Sequence, residues 1–462
     1  MSIYSHDTYI EHNKIKVFNW FEKKGAFERI MPPWENLKIL DRIEGITNDS
    51  YNIFRIKIGP FPKKWYADHY GYIANSRFCD KQLKGPFWVY DHEHLFEELD
   101  SDKCVMKDIV TYKLPFHFIA KYFASWNINS RFKKLFKWRE FRLTTDLKRH
   151  SMFPSTPKRV LISGSTGFIG NQLTSFLRTG GHEVVRLVRP ATNRRLISDE
   201  EVIEWNPDKL EIDAEKLENF DVIINLAGVG IGEKRWSKKR KNAIMKSRVS
   251  STTMLSETIS KLDNPPKYFI SSSAIGYYGN RGDEELNESS EPGTGFTAEV
   301  TKEWENCTSH ARNSGVNTII LRTGIVLSPS GGALSKMLFP FKMGGGGKIG
   351  NGRQYMSWVS HDDVIFAIHH LMMSENSDGI YNIVAPNPVT SKQFAKNLGR
   401  VLRRPAIIPL PSIIVKMLFG EMGKELLLEG QNVKPNKLIE EGFEFTHNEL
   451  KDCLTDFLGA WK

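Results

Sequence analysis

One stretch constrains this chain more than any other. The apolar run Val160-Leu161-Ile162 passes through Ser163 directly into Gly164-Ser165-Thr166-Gly167-Phe168-Ile169-Gly170, and from there into a helical repeat. Ile169, Leu173, Phe176 and Leu177 share one face of that helix, and Gly180-Gly181 closes it. A buried strand, a glycine turn and a helix in this order belong to a parallel sheet with crossover helices. Gly164 permits the tight turn, Gly167 lets a backbone approach a pyrophosphate, and Gly170 lets the helix pack closely on the strand. The helix N-terminus then presents unpaired N–H groups to an anion. The same rhythm continues with strands expected at Glu183–Val188, Asp221–Leu226, Tyr268–Ser273 and Thr318–Leu327. Residues 158–403 are therefore expected to form an α/β Rossmann domain, a doubly wound parallel sheet.

The end of the second strand selects the dinucleotide. An acid there would accept from a ribose hydroxyl. This chain has Leu187-Val188-Arg189-Pro190, with Arg194 and Arg195 close behind. Arginine suits a 2′-phosphate, so the expected cofactor is NADP(H) rather than NAD(H). Asn225-Leu226-Ala227-Gly228 ends a later strand and is expected to lie against the adenosine half, Gly228 serving close approach.

Upstream the pattern differs. Periodicity lapses over Ser151-Met152-Phe153-Pro154-Ser155-Thr156-Pro157, which marks a boundary, so a first domain is expected over 1–150. Tyr51–Ile58, Trp65–Ile73, Phe87–His94 and Cys104–Tyr112 alternate as half-buried antiparallel strands do. Phe132, Leu135, Phe136, Leu143 and Leu147 then line one face of a long helix. A curved sheet wrapped on that helix would enclose an apolar cavity.

The net charge of +10 comes largely from Arg131 to Arg159 and from Lys234 to Lys241. With no accompanying nucleic-acid motif, these are expected to be solvated helix faces plus a few side chains serving phosphate groups, and no nucleic-acid partner is expected. No membrane-spanning run is seen, and no signal peptide is expected. Cys79, Cys104, Cys307 and Cys453 lie far apart, which argues against a disulfide framework or a zinc site and fits a cytoplasmic protein. His361-Asp362-Asp363 is expected to supply a helix N-cap rather than a metal site.

Two resemblances extend this reading. The segments Gly25 to Trp34, Gly85-Pro86-Phe87 with His92 and His94, and Arg142 to Leu147 resemble the START-like (SRPBCC) ligand-binding superfamily. That implies an α+β helix-grip fold with an apolar ligand. From Arg159 onward, Lys234-Arg235-Trp236, Ser247-Arg248, Ser273 to Gly279, Trp304-Glu305, Arg322-Thr323-Gly324, Gly350 to Gln354 and His361-Asp362-Asp363 recur in order. Together they resemble the sugar-nucleotide-epimerase-like family, an atypical branch of the extended short-chain dehydrogenases. The resemblance implies NADP binding, a small and mainly helical C-terminal domain over 404–462, and fusion to a START-like module. A homodimer is among the assemblies known in the wider superfamily.

Extended short-chain dehydrogenases use a serine after the fifth strand and a tyrosine four residues before a lysine. Ser273 and Lys302 match, and Lys302 would also hold the cofactor ribose, but Ala298 stands where the tyrosine belongs. Three replacements stay open. Tyr277 or Tyr278 supplies a phenol, Glu299 acts as base, or no hydride chemistry occurs. The expected function is an NADP(H)-dependent oxidoreductase or epimerase with a small-molecule substrate. The alternative is a catalytically quiet NADP(H) sensor. Arg235, Arg248 and Arg353 are candidates for an anionic substrate group.

Overall fold

Period-two alternation builds the first sheet. In β6 (Val89–Asp100), Tyr90, His92, His94 and Phe96 are buried, while the residues between them are partly exposed. The computed structural model describes residues 1–35, 37–58, 61–115, 123–153, 156–190 and 201–461. In it β1 (Ser2–Ile10), β2 (Lys38–Ile43), β3 (Tyr51–Ile58), β4 (Phe61–Ile73), β5 (Arg77–Lys84), β6 and β7 (Lys103–Lys113) form an antiparallel sheet ordered β1-β7-β6-β5-β4-β3-β2. The long helix Phe123–Ser151 crosses its concave face. Phe132 and Phe136 join Tyr90, Val110 and Tyr112, and Leu143 and Leu147 join Trp20, Phe78 and Phe96. Between helix and sheet lies a cavity of about 230 Å³ whose lining includes Phe54, Trp65, Phe78 and Leu135.

The sequence pattern does not announce β1, β2 or β5. β1 divides its apolar residues between its faces: Tyr4 and Ile10 turn inward with buried Thr8, whereas Ile3 and Tyr9 face solvent. A hydrophobic pattern is therefore ambiguous at this edge.

The second sheet is the doubly wound one. β8 (Arg159–Ser163), β9 (Glu183–Val188), β10 (Val202–Asn206), β11 (Glu211–Ile212), β12 (Val222–Asn225) and β13 (Tyr268–Ala274) are joined by Asn317–Thr323 and Gly379–Ile383. The order is β11-β10-β9-β8-β12-β13, then those two. Every pairing is parallel except that of β11. The expected strand Thr318–Leu327 is two strands. Gly324 breaks it, and Ile325–Ser328 pairs instead with Trp358–Ser360. A Cβ at Gly324 would stand 2.4 Å from the Ser357 carbonyl oxygen, so only glycine permits that crossing.

The two units meet through buried charge. On the short helix Ala26–Ile30, Arg29 donates from Nε and Nη2 to Asp146 on the long helix, at 2.8 and 2.6 Å. Its Nη1 donates to Gln172 Oε1 at 3.1 Å, on the glycine-loop helix Phe168–Thr179. Arg142 of the long helix forms a 2.7 Å ion pair with Asp362. Gly25, at φ +93°, lets the chain come close: a Cβ there would meet Ser175 Cα at 2.7 Å. At the other end Trp34 packs on Trp138 and on Trp461 near the C-terminus. The expectation of solvated basic faces is thus corrected for Arg142 and Arg149. Both are buried, Arg142 against Asp362 and Arg149 against the Glu444 carbonyl. The N-cap at His361 is Ser360, whose Oγ accepts from Asp363 N, while Asp363 accepts from Thr446 N and His447 N.

Two expected outcomes follow from this junction. Asp146→Ala leaves the Arg29 and Arg142 guanidiniums buried without their shared acid, and should cost about 3–5 kcal/mol in urea unfolding. A cost below about 1 kcal/mol would remove the pair from its structural role. The second concerns pH. Burial, reinforced by Lys158 and Lys23, lowers His182 to about 4, and burial with His182 nearby lowers His369 to about 3. Lys158 N donates to His182 Nδ1 at 3.2 Å, which requires the neutral ring. In the unfolded chain these histidines titrate near 6.5. Their contribution is therefore present above that pH and is lost as pH falls toward 4. Stability should drop by about 1.4 kcal/mol per pH unit for each of them between roughly pH 6 and 4.5. Thermal unfolding across that range reads it, and the drop should shrink in His369→Phe.

Candidate active site

The glycine loop takes the shape its sequence demands. Gly164 sits at φ +69°, and a Cβ there would lie 2.7 Å from the Leu226 carbonyl. A Cβ at Gly170 would lie 2.3 Å from the Gly164 oxygen, so helix and loop touch backbone to backbone. Gly167 is the N-cap of the helix and no side chain caps it. The first-turn N–H groups near Phe168 and Ile169 thus face outward beside exposed Thr166. Ser165 is buried, and its Oγ has no hydrogen-bond partner among the described residues. A buried, unpaired hydroxyl costs free energy unless a ligand completes it.

Around the loop the chain gathers cations. Arg186 of β9 is buried and donates to the Ser165 carbonyl at 2.7 Å. Arg189, at the end of β9, is exposed and stands 3.5 Å from Asp208. Arg194 and Arg195 lie outside the described residues. Leu226, Ala227 and Gly228 form the turn after β12. Asn225 holds it, accepting from Ser163 Oγ at 2.6 Å and donating to Thr252 Oγ1 at 2.9 Å. Arg248 lies beside Gly228, donates to the Val229 and Ile244 carbonyls, and stacks over Trp304. It is buried with no acidic partner among the described residues, and burial lowers its pKa to about 10. Arg235 and Arg353 are exposed. The first unit also reaches this cleft. A cavity of about 570 Å³ at the junction is bounded by Pro32, Pro33 and Arg42 on one side and by Thr166, Arg186 and His361 on the other.

The end of the cleft around Ser273 is organised by Glu305 and Arg322, to which sequence reasoning gave no role. Ser273, on β13, donates from Oγ to Glu305 Oε1 at 2.6 Å. Arg322 donates to both oxygens of Glu305, at 2.9 and 2.8 Å. Arg322 also donates to Tyr278 Oη at 3.0 Å, and that hydroxyl donates to Asn382 Oδ1 at 2.8 Å. Tyr278 is therefore fully buried and its phenol is engaged on both sides, which suits a structural post rather than a proton donor. Tyr277 lies flat on the Arg322 guanidinium, 3.4 Å from ring centroid to carbon, and its hydroxyl has no partner among the described residues. Glu299 and Lys302 are exposed on the helix Phe296–Asn306, and Ala298 is buried on it. The start of that helix is capped from the C-terminal region: Glu425 accepts from Phe296 N and Thr297 N at 3.0 and 2.9 Å. Trp304-Glu305 and Arg322 are visible as recurring segments, but nothing local ties them to Ser273. Outside this cleft, Asp80, His92 and His94 converge within 4.8 Å, a metal-competent grouping that the reading of cysteine spacing does not anticipate.

Comparison with known proteins places this geometry. The profile of the NAD dependent epimerase/dehydratase family matches residues 160–384, and that of a domain of unknown function, DUF1731, matches residues 410–457. The epimerase family protein Mb2239 of Mycobacterium bovis is 40% identical over 295 residues, which is 64% of this chain and 96% of that protein. The crystal structure of human epimerase family protein SDR39U1 with NADPH is 33% identical, with a TM-score of 0.59, covering 65% of this chain and 98% of that one. The crystal structure of the nucleoside-diphosphate sugar epimerase from Corynebacterium glutamicum is 30% identical with a TM-score of 0.79. It covers 99% of this chain and 90% of that one, so the first unit is matched as well.

The Ser273–Glu305–Arg322 network carries its own test. Glu305→Ala strands a buried guanidinium and should cost about 3–5 kcal/mol. Ser273→Ala removes one hydrogen bond and should cost about 1 kcal/mol. Equal costs in denaturant unfolding would show that Glu305 does not hold Arg322.

Proposed function

This chain belongs to the NAD dependent epimerase/dehydratase family, and on that premise we propose that its cleft binds NADP(H) for oxidoreductase or epimerase chemistry on a small, nucleotide-sugar-like substrate. The observation that carries the reading is the uncapped helix N-terminus at Gly167 beside the partnerless Ser165 hydroxyl. An anion in the loop would complete both. Arg189 at the end of β9 supports the 2′-phosphate, and Leu226, Ala227 and Gly228 support the adenosine side. The buried Arg248 cation supports a second anionic group near Gly228. When bound, NADP(H) supplies a hydride donor or acceptor. Lys302 would hold its ribose, Ser273 would orient the substrate oxygen, and Tyr277 offers an unengaged phenol for proton transfer.

A second reading has its own support. Ala298 replaces the usual tyrosine, and the Ser273 hydroxyl is already donated to Glu305. A catalytically quiet NADP(H) sensor would look like this. The same proposal divides the chain into 1–150, 158–403 and 404–462. It takes the first unit as a START-like module for an apolar ligand, supported by its helix-crossed antiparallel sheet and its cavity. Four cysteines without disulfides among the described residues support a reducing, cytoplasmic setting.

Titration of the full chain with NADPH and NADH, read by tryptophan fluorescence, tests the cofactor. NADPH should bind more tightly, and Arg189→Ala should lower its advantage at least about tenfold, a charge-assisted hydrogen bond being worth about 1.5–3 kcal/mol. Equal binding of the two would overturn the NADP(H) assignment. Ser273→Ala should abolish turnover of a carbonyl or nucleotide-sugar substrate while NADPH still binds. Tight NADPH binding with no turnover of any such substrate by the unaltered chain would favour the sensor.

A further inference from the structure

Three adjacent strands of the first sheet turn four polar side chains onto one buried face. Asp80 on β5 stands opposite His92 on β6, and His94 stands opposite Asp108 on β7. His92 and His94 are two residues apart on a strand, so they share that face. Their ring centroids are 3.8 Å apart.

The contacts have a direction. Asp108 lies behind both rings. Its Oδ1 is 2.9 Å from His92 Nε2 and 2.8 Å from His94 Nδ1, the second approach falling outside hydrogen-bond geometry. The other nitrogen of each ring faces Asp80: Oδ2 is 3.1 Å from His92 Nδ1 and 3.5 Å from His94 Nε2. His92 gives its Nε2–H to Asp108 and so presents a lone pair at Nδ1, and His94, with its proton on the Nδ1 that lies beside the same carboxylate, presents one at Nε2. Three acceptor atoms therefore converge on one small space. A single divalent ion satisfies all three atoms at once.

The spacing fits such an ion. Tetrahedral coordination with bonds of about 2.0–2.1 Å puts neighbouring donors about 3.3–3.4 Å apart, close to the two separations seen. Asp108 then occupies the place of the carboxylate that orients metal-bound histidines from behind. His92 and His94 are almost wholly buried, Asp80 is partly open, and Asp80 and His94 both line the apolar cavity.

We propose that Asp80, His92 and His94 bind one divalent transition-metal ion of the zinc or iron(II) class, with Asp108 orienting the two rings and the open coordination positions facing the cavity. Two imidazoles and one carboxylate suit those ions, whereas calcium and magnesium prefer all-oxygen sites. An apolar molecule with an oxygen donor at one end would meet the metal with that end and the aromatic walls with its body. The site is independent of the NADP(H) cleft, and the ion can be tested alone.

The experiment uses the full chain, stripped with a chelator and titrated with Co²⁺ while the visible absorption bands of the bound ion are followed, with Zn²⁺ as competitor. One Co²⁺ per chain is expected, displaced by one Zn²⁺. Asp80→Asn and His94→Gln should each weaken binding at least about 100-fold, and Asp108→Asn about 10–100-fold. X-ray absorption of the loaded, unaltered chain should show two imidazoles, a readout that needs no variant to fold. Absence of stoichiometric binding, unchanged affinity in the folded variants, or fewer than two imidazoles around the ion would overturn the site.

Discussion

The row of buried charges from Arg29 through Asp146 and Arg142 to Asp362 holds the rest of the molecule in place. Each member is shielded from solvent, so removing any one would leave its neighbour as a buried charge without a partner. Arg29 comes from a short helix of the first unit, Asp146 and Arg142 from the long helix, and Asp362 from the helix that follows Ser360. The row therefore sets where the first unit sits against the glycine-loop helix. Because Gln172 of that helix also accepts from Arg29, the glycine loop and the first unit share a support. The Pro32-Pro33 turn is carried to one wall of the cavity beside Thr166 by the same docking.

The two ends of the cleft are built on different principles. The glycine-loop end is a local construction in which consecutive residues make the turn, the close packing and the outward N–H groups. The end around Ser273 is assembled from distant segments. Ser273, Glu305, Arg322, Tyr278 and Asn382 come from separate elements and meet through one guanidinium and the phenol beside it. Glu425, from beyond residue 404, caps the helix that carries Glu305, so the C-terminal region steadies the site without entering it.

Surroundings decide what each residue type does here. Arg189 faces water, while Arg142, one of many basic residues on the long helix, is buried against an acid. Histidines divide in the same way. Burial keeps His361 down at about 4, whereas at His447 burial is outweighed by Asp363 and Asp456, which push it up to about 9. Neither difference is encoded within a few residues of the group concerned.

The sequence by itself determined the glycine loop, the strand before it, the helix after it and the likeness to a dinucleotide-binding sheet. These depend on backbone conformation and on periodicity over neighbouring positions, which are written in consecutive residues. It also carried the antiparallel character of the first unit, though not its edge strand β1, whose apolar residues are divided between its two faces. The tertiary structure alone decided the partners. Arg29 and Asp146 are 117 positions apart, Ser273 and Glu305 are 32 apart, and Asp80 meets His92 and His94 only because β5 and β6 pair in one register. A buried polar group must find its complement wherever the fold brings one, and that location is a property of packing rather than of the local chain.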